Sequence, residues 1–322
     1  MLTFADVLKA RVTIGPTLRP TPALESDALG AAMGCRVVLK CENLNPTGAF
    51  KVRGGVNLLA SLDSETRAKG VVAASTGNHA QSVAFAARRF GARAIIYMPE
   101  RSNVRKVAAT SAYGAEVVLC GRDFDEARLA AEARAKLDQL RYIHSADEPL
   151  LVAGVATWAL ELLEIAPDLD TIFVPVGGGS GVLGAGLVAR AVNPRIQVIG
   201  VQAEGAPAVY RSWKEGRYVE TERAETVAEG IATRQPFALP LALFPTLVDE
   251  IMLVSDAEIY DAIRLIFEST RQVAEGAGAA AVAGAFQRRD ALAGKNVGLV
   301  LSGGNITTER FMQILNQHPG SC

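Results

Sequence analysis

Short apolar runs alternate with amphipathic stretches along most of the 322-residue chain. Short runs of this kind between turn signals are typical of buried strands, and strands that alternate with helices lie in parallel sheets. The pattern therefore predicts an α/β fold built from βαβ units. The predicted strands cover residues 37–41, 71–74, 94–98, 116–120, 171–176, 197–202 and 297–301.

Two longer stretches show the helical period. Residues 125–140 and 257–274 place apolar side chains three and four positions apart with charged residues between them, and both are predicted to be helices. Residues 234–245, RQPFALPLALFP, carry three prolines, which remove backbone donors and break regular structure. We expect this segment to be an irregular connection that forms a lip over the ligand site.

Composition limits the kind of ligand. The chain is 49% hydrophobic and 21% charged, and its formal net charge is -1. It offers no basic field for nucleic acid and no apolar run long enough to span a bilayer. The first residues lack a signal-peptide pattern, and the cysteines, at positions 35, 41, 120 and 322, form no CxxC pair. We expect a cytoplasmic protein with reduced thiols that acts on a small molecule, without a nucleic-acid or membrane partner.

Three predicted strands end in glycine-bearing turns that open a helix. These are ASTGNHAQS from Ala74, PVGGGSGVLGAG from Pro175 and LSGGNITTE from Leu301. The carboxyl ends of parallel strands share one edge of a sheet, and ligands bind at that edge. We therefore expect the three turns and the segment around Lys51 to meet around one ligand.

The second of these turns carries the strongest physical signal. This glycine turn consists of Gly177, Gly178, Gly179, Ser180 and Gly181. Closely spaced glycines let backbone N–H groups converge at a helix N-terminus, where the helix dipole favours an anion such as phosphate. Two alternatives stay open at this point: a tight turn that only packs against its strand, and a dinucleotide site. The second is open because GxGxxG is matched and Glu204 follows about 20 residues later.

Lys51 decides between these ligands. A solvated surface lysine is the usual case, but Phe50 and Val52 offer apolar walls here. The charge of Arg53 is expected to lower the pKa of the Lys51 ammonium by repulsion. A lysine with a lowered pKa is a Schiff-base nucleophile. A phosphate cradle together with such a lysine matches pyridoxal 5'-phosphate (PLP), which carries both a phosphate and an aldehyde.

Six motifs, in chain order, carry a resemblance to a known family. They are KCENLNPTGAFKVRGG, STGNHAQSVAFAARRFG, PVGGGSG, TVAEGIA, EGAGAAAVAGA and SGGN. Over roughly residues 15–310 the chain resembles the fold-type II PLP enzymes, specifically the serine/threonine dehydratase and ammonia-lyase group. The resemblance implies a tryptophan synthase β-like α/β fold of two lobes, with open parallel sheets flanked by helices. It also implies a large PLP-binding domain, 1–52 and 144–322, a small inserted domain, 53–143, and a homodimer or homotetramer.

The resemblance assigns roles to individual residues. It implies that Lys51 forms the Schiff base and removes the substrate Cα proton, and that Thr76 is a further catalytic candidate. The implied cofactor-binding residues are Phe50, Lys51, Asn78, Gly177, Gly178, Gly179, Ser180, Gly181, Gly230, Glu275 and Ser302. The implied substrate-binding residues are Ser75, Thr76, Asn78 and His79.

Some of these residues have a second interpretation. Ser75, Thr76 or Asn78 could cap the helix that follows, because short polar side chains accept hydrogen bonds from helix N-termini. Glu229 resembles an acidic residue that lies over the cofactor, but a solvated role is equally open. Glu275 could be an acid that the dipole of the following helix favours.

Ser302 lies where this group places a neutral hydroxyl against the pyridine nitrogen of PLP. A serine cannot keep that nitrogen protonated, so the ring is a weaker electron sink than one paired with a carboxylate. Elimination needs less carbanion storage than transamination. The resemblance therefore implies an ammonia-lyase that converts a β-hydroxy-α-amino acid, threonine or serine first, to a 2-oxo acid and ammonia by α,β-elimination.

The chain departs from the family pattern at several positions. Ser180 replaces a glycine, Ala49 replaces a common serine, and Val155 and Ala156 replace Gln-Gly, so the pocket for the substrate side chain is expected to differ. Metal-dependent members use two acidic residues and a carbonyl. The matching residues here are Glu204, Ala208 and Tyr210, so no metal is expected. No chain follows Cys322 to form a regulatory domain, so feedback control through one is not expected.

Four alternative functions remain open from the sequence. A racemase of the same family would use the Thr76 hydroxyl to deliver a proton opposite Lys51. A dehydratase could act on another 3-hydroxy amino acid, such as phenylserine or 3-hydroxyaspartate. A dinucleotide-dependent oxidoreductase would bind NAD(P)H and lack the yellow colour of lysine-bound PLP. An amino-acid-sensing module would keep the colour but release no ammonia.

Overall fold

The computed structural model describes residues 2–102 and 104–316. The strands of this part of the chain are β1 Ala23–Glu25, β2 Arg36–Cys41, β3 Val71–Ala74, β4 Ala94–Met98, β5 Glu116–Leu119, β6 Arg141–Tyr142, β7 Thr171–Pro175, β8 Gln197–Ala203, β9 Glu250–Val254 and β10 Asn296–Leu301. Its α-helices are α1 Phe4–Ile14, α2 Asp27–Met33, α3 Lys51–Ser61, α4 Ser64–Lys69, α5 Asn78–Phe90, α6 Val104–Ala112, α7 Phe124–Asp138, α8 Pro149–Ile165, α9 Ser180–Val192, α10 Ala208–Glu215, α11 Ala238–Leu247, α12 Asp256–Thr270, α13 Gly276–Gln287 and α14 Thr308–Asn316.

The chain divides into two compact units. The small unit is Met1–Arg19 with Lys51–Val155, and the large unit is Pro20–Phe50 with Ala156–Cys322. The first residues join the small unit because α1 packs against α3, whereas the predicted boundaries assign residues 1–19 to the large domain. The predicted division itself, 1–52 with 144–322 and 53–143, stays a prediction.

The small unit is built on a four-stranded parallel sheet of order β5-β4-β3-β6. Its core joins strand residues such as Val72 and Ile95 to Ala127, Ala131 and Ala135, which lie one turn apart along α7. These small residues let α7 approach the sheet closely. Because β3 and β4 run parallel, their carboxyl ends lie at the same edge of this sheet.

The large unit is built on a six-stranded sheet of order β1-β2-β10-β7-β8-β9. Its neighbouring strands run parallel except for β1, which pairs antiparallel with β2. The alanine- and glycine-rich helix α13 packs against β7 and β10, and its residues 276–285 are buried. The carboxyl ends of β7 and β10, which carry two of the three predicted turns, lie in neighbouring strands.

The structure confirms the seven predicted strands, with ends that agree to within one residue. It adds β1, β6 and β9. Strands β1 and β6 are only three and two residues long, too short to show an alternating pattern. The predicted helices are confirmed as α7 and α12, although α12 ends at Thr270 because Arg271 adopts a left-handed conformation with φ 60°.

The prediction of an irregular connection over residues 234–245 is wrong, because α11 begins at Ala238. Pro240 lies in the first turn of the helix, where backbone N–H groups have no partner within the helix in any case. Pro245 lies in the last turn, so few hydrogen bonds follow it. Prolines at these two places are compatible with a short helix.

Two further expectations from the sequence concern membrane-spanning segments and the state of the cysteines. Within residues 2–102 and 104–316, no helix is long and apolar enough to cross a membrane. Cys35, Cys41 and Cys120 are free thiols, and Cys322 lies outside the described residues.

Candidate functional site

The glycine turn leads from β7 into α9, and close packing explains its composition. Gly179, the N-cap of α9, has φ 100°, a conformation that side chains with a Cβ rarely adopt. A Cβ added at Gly177 would lie 3.0 Å from the Gly230 carbonyl oxygen, and one at Gly181 would lie 2.9 Å from the Phe50 ring. The turn therefore brings bare backbone to the start of a helix, without a capping side chain on the N-cap residue.

Helix α11 lies against the glycine turn. A Cβ at Gly179 would be 2.9 Å from Pro240 Cβ and 3.1 Å from the Phe244 ring. The segment that was predicted to form a lip thus borders this turn, as a helix rather than as an irregular connection.

Phe50 joins the glycine turn to the turn that follows β10. The Phe50 N–H donates to the Ser302 carbonyl oxygen at 2.9 Å, and Ala49 pairs antiparallel with Gly303. The Ser302 side chain is 4% exposed, and its hydroxyl donates to the Ala277 carbonyl oxygen at 3.5 Å. Phe50 and Ser302 are therefore fixed next to each other by backbone contacts.

The start of α13 completes this group in the large unit. Glu275 is the N-cap residue of α13 and is largely buried, and its N–H donates to the Gly303 carbonyl oxygen at 3.1 Å. A Cβ at Gly276 would lie 2.7 Å from the Val227 carbonyl oxygen, so α13 also borders the turn that carries Glu229 and Gly230. Both of those residues are exposed. The structure thus brings together, within the large unit, the predicted residues Phe50, the glycine turn, Gly230, Glu275 and Ser302.

The turn after β3 holds the predicted substrate residues of the small unit. The Ser75 N–H donates to the Tyr97 carbonyl oxygen at 3.0 Å, and the Ser75 hydroxyl accepts from the Gly77 N–H at 3.1 Å. The N-cap of α5 is Gly77, which has no side chain, and Asn78 is the first helical residue. The N-cap residue is thus Gly77 rather than Ser75, Thr76 or Asn78, but the Ser75 hydroxyl accepts from the Gly77 N–H and so caps the start of α5 from outside the helix.

Lys51 is the first residue of α3. Its Nζ donates to the Ser145 carbonyl oxygen at 3.1 Å, and its own carbonyl oxygen accepts from the Ser82 hydroxyl at 2.6 Å. Burial lowers the pKa of the Lys51 ammonium from 10.5 to about 8. The predicted direction is confirmed, but the cause is loss of solvation rather than repulsion by Arg53, which is itself fully buried.

His79 lies in the first turn of α5 and is 4% exposed. Its Nε2 lies 3.2 Å from the Ile143 carbonyl oxygen, and its Nδ1 is buried with no hydrogen-bond partner in the described part of the chain. Burial, followed by the charge of Lys51, lowers the pKa of His79 to about 3. The ring is therefore neutral at physiological pH and carries a buried nitrogen that a ligand could satisfy.

The sequence prediction missed the turn that follows β6. This turn supplies the Ser145 carbonyl to Lys51 and the Ile143 carbonyl to His79. The two-residue strand β6 gives no periodic signal, so the turn was not recognised as a strand end. The polar pair His144-Ser145 shortly before Pro149, the first residue of α8, was the available clue.

Two of the positions that depart from the family pattern, Val155 and Ala156, lie at contacts between helices. Val155 and Ala156 are fully buried in α8. Val155 packs against Gly54, and Ala156 packs against Gly184. These two residues therefore contact other helices in their respective units.

The residues matched to a metal site show no ligand set. Glu204 is exposed after β8, Ala208 begins α10, and the Tyr210 N–H donates to Gln202 Oε1 at 2.8 Å. In the described residues, no group of three or more His, Cys, Asp or Glu side chains is arranged to hold a metal ion. The expectation that no metal binds stays a prediction.

Comparisons with known proteins agree with this chemistry. The family model described as pyridoxal-phosphate dependent enzyme matches residues 14–303. L-threonine ammonia-lyase of Thermotoga maritima is 40% identical over 98% of this chain and 79% of that protein. L-threo-3-hydroxyaspartate ammonia-lyase of Saccharomyces cerevisiae is 35% identical over 98% of this chain and 96% of that protein.

Solved structures give the same result. The processed form of threonine deaminase isoform 2 from Solanum lycopersicum has a TM-score of 0.91 and 31% identity, covering 97% of this chain and 86% of that one. Maize serine racemase has a TM-score of 0.92 and 30% identity, covering 97% and 96%.

The residues present fit PLP. Tightly packed glycine backbone at the uncapped start of α9 suits a phosphate, and a lysine whose pKa is lowered to about 8 suits an aldehyde. The family match overturns the dinucleotide-dependent alternative. The chain belongs to the pyridoxal-phosphate-dependent enzymes of fold type II, and PLP is its cofactor.

Proposed function

We propose that the protein is a PLP-dependent ammonia-lyase that converts a β-hydroxy-α-amino acid, L-threonine first, to a 2-oxo acid and ammonia. The observation that carries this proposal is the similarity of nearly the whole chain to proteins named L-threonine ammonia-lyase. PLP supplies an aldehyde that bonds to amines and a ring that withdraws electrons from the substrate Cα. The protein must then hold the cofactor, orient the substrate and move one proton.

The large unit would hold the cofactor. The glycine turn would bind the phosphate at the start of α9, Phe50 would flank the ring, and the Ser302 hydroxyl would face the pyridine nitrogen. The contacts of Phe50 with both Gly181 and Ser302 support these roles. Lys51 follows Phe50 directly in the sequence, so a fixed Phe50 also limits where the reactive amine can lie.

Other residues complete the proposed cofactor site. Asn78 would donate to the phenolic oxygen, and Gly230 with Glu229 would lie over the cofactor. Glu275 would bound the site at the start of α13. Gly177 packs against Gly230, and the start of α13, where Glu275 lies, packs against the segment that carries Gly230. These contacts support a shared location for Gly230, Glu275 and the glycine turn.

The small unit would supply the base and the carboxylate site. Ser75, Thr76, Asn78 and His79 lie at the start of α5, where a glycine N-cap and the helix dipole favour an anion such as the substrate carboxylate. Lys51 would take the Cα proton. A pKa of about 8 keeps part of the amine neutral near physiological pH, as a general base requires.

A racemase is the second candidate, because solved serine racemases align with almost the whole chain. It would need a donor on the face opposite Lys51, a role for which Thr76 is the candidate. Within the ammonia-lyases, 3-hydroxyaspartate is the alternative substrate, since one relative is named for it. We also propose two domains with the boundaries given above, a homodimer or homotetramer, and a cytoplasmic location.

A screen of ammonia release tests the proposal. The substrates are the stereoisomers of serine, threonine, phenylserine and 3-hydroxyaspartate, and the control is Lys51→Ala. We expect L-threonine to give a 2-oxo acid and ammonia in equal amounts, and Lys51→Ala to give neither. Accumulation of D-serine faster than pyruvate would favour the racemase, and yellow protein that releases no ammonia from any substrate would contradict an ammonia-lyase.

A further inference from the structure

The turn that follows β6 is held by a histidine side chain. His144 Nδ1 accepts from the Ala146 N–H at 3.1 Å and from the Asp147 N–H at 2.8 Å. A nitrogen that accepts two N–H groups carries no proton, so the neutral ring keeps its proton on Nε2. The side chain therefore fixes the two peptide groups that follow Ser145.

One of these peptide groups faces Lys51. The Ala146 N–H and the Ser145 carbonyl belong to the same planar trans peptide, in which N–H and C=O point in opposite directions. His144 binds the N–H on one side, and Lys51 Nζ donates to the carbonyl oxygen on the other at 3.1 Å. The imidazole thus sets the direction of a carbonyl that is bonded to this amine.

The surroundings keep the ring in its accepting form. Burial is the main cause that lowers the pKa of His144, to about 4, with Arg128 and Lys51 acting in the same direction and Asp147 and Glu132 opposing them. Tyr142 contacts the ring edge to face at 6.1 Å between centroids. His79 is another ionisable neighbour of Lys51, and its ring is neutral. At physiological pH both Nδ1 contacts of His144 are therefore retained.

We propose that His144 is a positioning residue for Lys51: it aims the Ser145 carbonyl at the amine and holds that amine in place whenever it is not bonded to the cofactor. The inference rests on the proposed function, in which Lys51 bonds to PLP and acts as the base. A carbonyl that accepts from the ammonium favours its charged form and so opposes the effect of burial. Loss of this contact should lower the pKa of Lys51 below its present value.

The test measures how fast full-length protein freed of its cofactor takes up PLP, followed by yellow colour, as a function of pH. Only the neutral amine reacts, so the midpoint of the rate profile reports the pKa of Lys51. His144→Asn keeps an acceptor, because Asn Oδ1 can replace Nδ1, whereas His144→Phe keeps a ring without one. Ile143→Val is the control for a small packing defect in the same turn.

We expect wild type, His144→Asn and Ile143→Val to share a midpoint near pH 8. For His144→Phe the midpoint should fall by about 1, the size of a lost hydrogen bond to a charged group. If His144→Phe does not fold, His144→Leu gives the same comparison.

An unchanged midpoint in the variant without an acceptor, accompanied only by a lower Tm, would overturn the inference. So would a midpoint in His144→Asn that falls as far as in His144→Phe. Failure of the proposed function looks different: wild type would then take up no PLP at Lys51 and would match Lys51→Ala.

Discussion

At the scale of single residues, two buried histidines link stability to pH. Burial lowers the pKa of His79 to about 3 and that of His144 to about 4, while unfolding returns both to about 6.5. Between those values the unfolded chain binds more protons than the folded one. The free energy of unfolding therefore falls as the pH falls from 6.5 towards 4.

We predict a slope of up to about 1.4 kcal/mol per pH unit for each of these histidines in that range. His144→Asn removes one group that titrates and keeps the acceptor, so it should remove about half of their combined slope. Denaturation by urea at pH 5, 6 and 7 measures this. Equal slopes in wild type and His144→Asn would show that folding does not lower the pKa of His144.

Lys40 forms a buried ion pair in the large unit. It is fully buried on β2, and its Nζ donates to Glu161 Oε2 and to the Thr21 carbonyl oxygen, both at 2.6 Å. Removal of one partner leaves an uncompensated charge away from water. Lys40→Met should therefore destabilise the protein by about 3–5 kcal/mol.

Lys69 provides the matched control, because it pairs with Glu65 at 2.9 Å on the surface. Lys69→Met should cost less than about 0.5 kcal/mol, since exposed pairs on a helix contribute little. Thermal unfolding of both variants makes the comparison. Similar losses of stability in the two variants would mean that a buried lysine depends on its carboxylate partner no more than an exposed lysine does.

At the scale of elements, substitutions at Gly34 and Gly179 distinguish the cost of backbone strain from the cost of close packing. Both have positive φ, 100° and 67°, but a Cβ at Gly34 would meet nothing within 4 Å. Gly34→Ala should cost about 1 kcal/mol, the usual price of a left-handed residue with a Cβ. Gly179→Ala adds a clash with Pro240 and moves the glycine turn, so it should cost more and also weaken PLP binding at least tenfold.

Unfolding free energies and titration with PLP measure the two effects. PLP affinity in Gly34→Ala should equal that of wild type. Normal affinity in Gly179→Ala would show that the glycine turn does not bind the cofactor.

The elements show what a sequence can predict. Strands β3 and β4 matched at both ends because each is a fully buried apolar run between turn signals. The prolines of α11 argue against a helix in the sequence, but the cost of a proline depends on its position in the helix, and these lie near the two ends. Strand β6 was missed because two residues show no period.

In the candidate site too, features that depend on local sequence could be predicted, and features that depend on the whole fold could not. The glycine turn and Lys51 were predicted from side-chain identity and local spacing, whereas the role of Ser302 was predicted from the resemblance to the family. The Ser145 carbonyl was not predicted, because a backbone acceptor has no signature in the sequence and is placed only by the fold. The source of the lowered pKa of Lys51 was also missed, since burial depends on the whole unit rather than on the neighbour Arg53.

At the scale of the whole molecule, one of the three places where the chain passes from one unit to the other lies between Phe50 and Lys51. Phe50 belongs to the unit that carries the glycine turn, and Lys51 belongs to the unit that carries the turn after β3. A single peptide bond therefore joins the proposed cofactor wall to the proposed base. The central claim is that the amine of Lys51 bonds to PLP.

Reduction of the PLP-loaded protein with borohydride, followed by peptide mass mapping, tests this claim most directly. The reduced bond is stable, so the cofactor marks the lysine that held it. We predict the added mass on the peptide that contains Lys51, and none in Lys51→Ala. Cofactor mass on a different lysine of the wild-type protein, with Lys51 unmodified, would contradict the account.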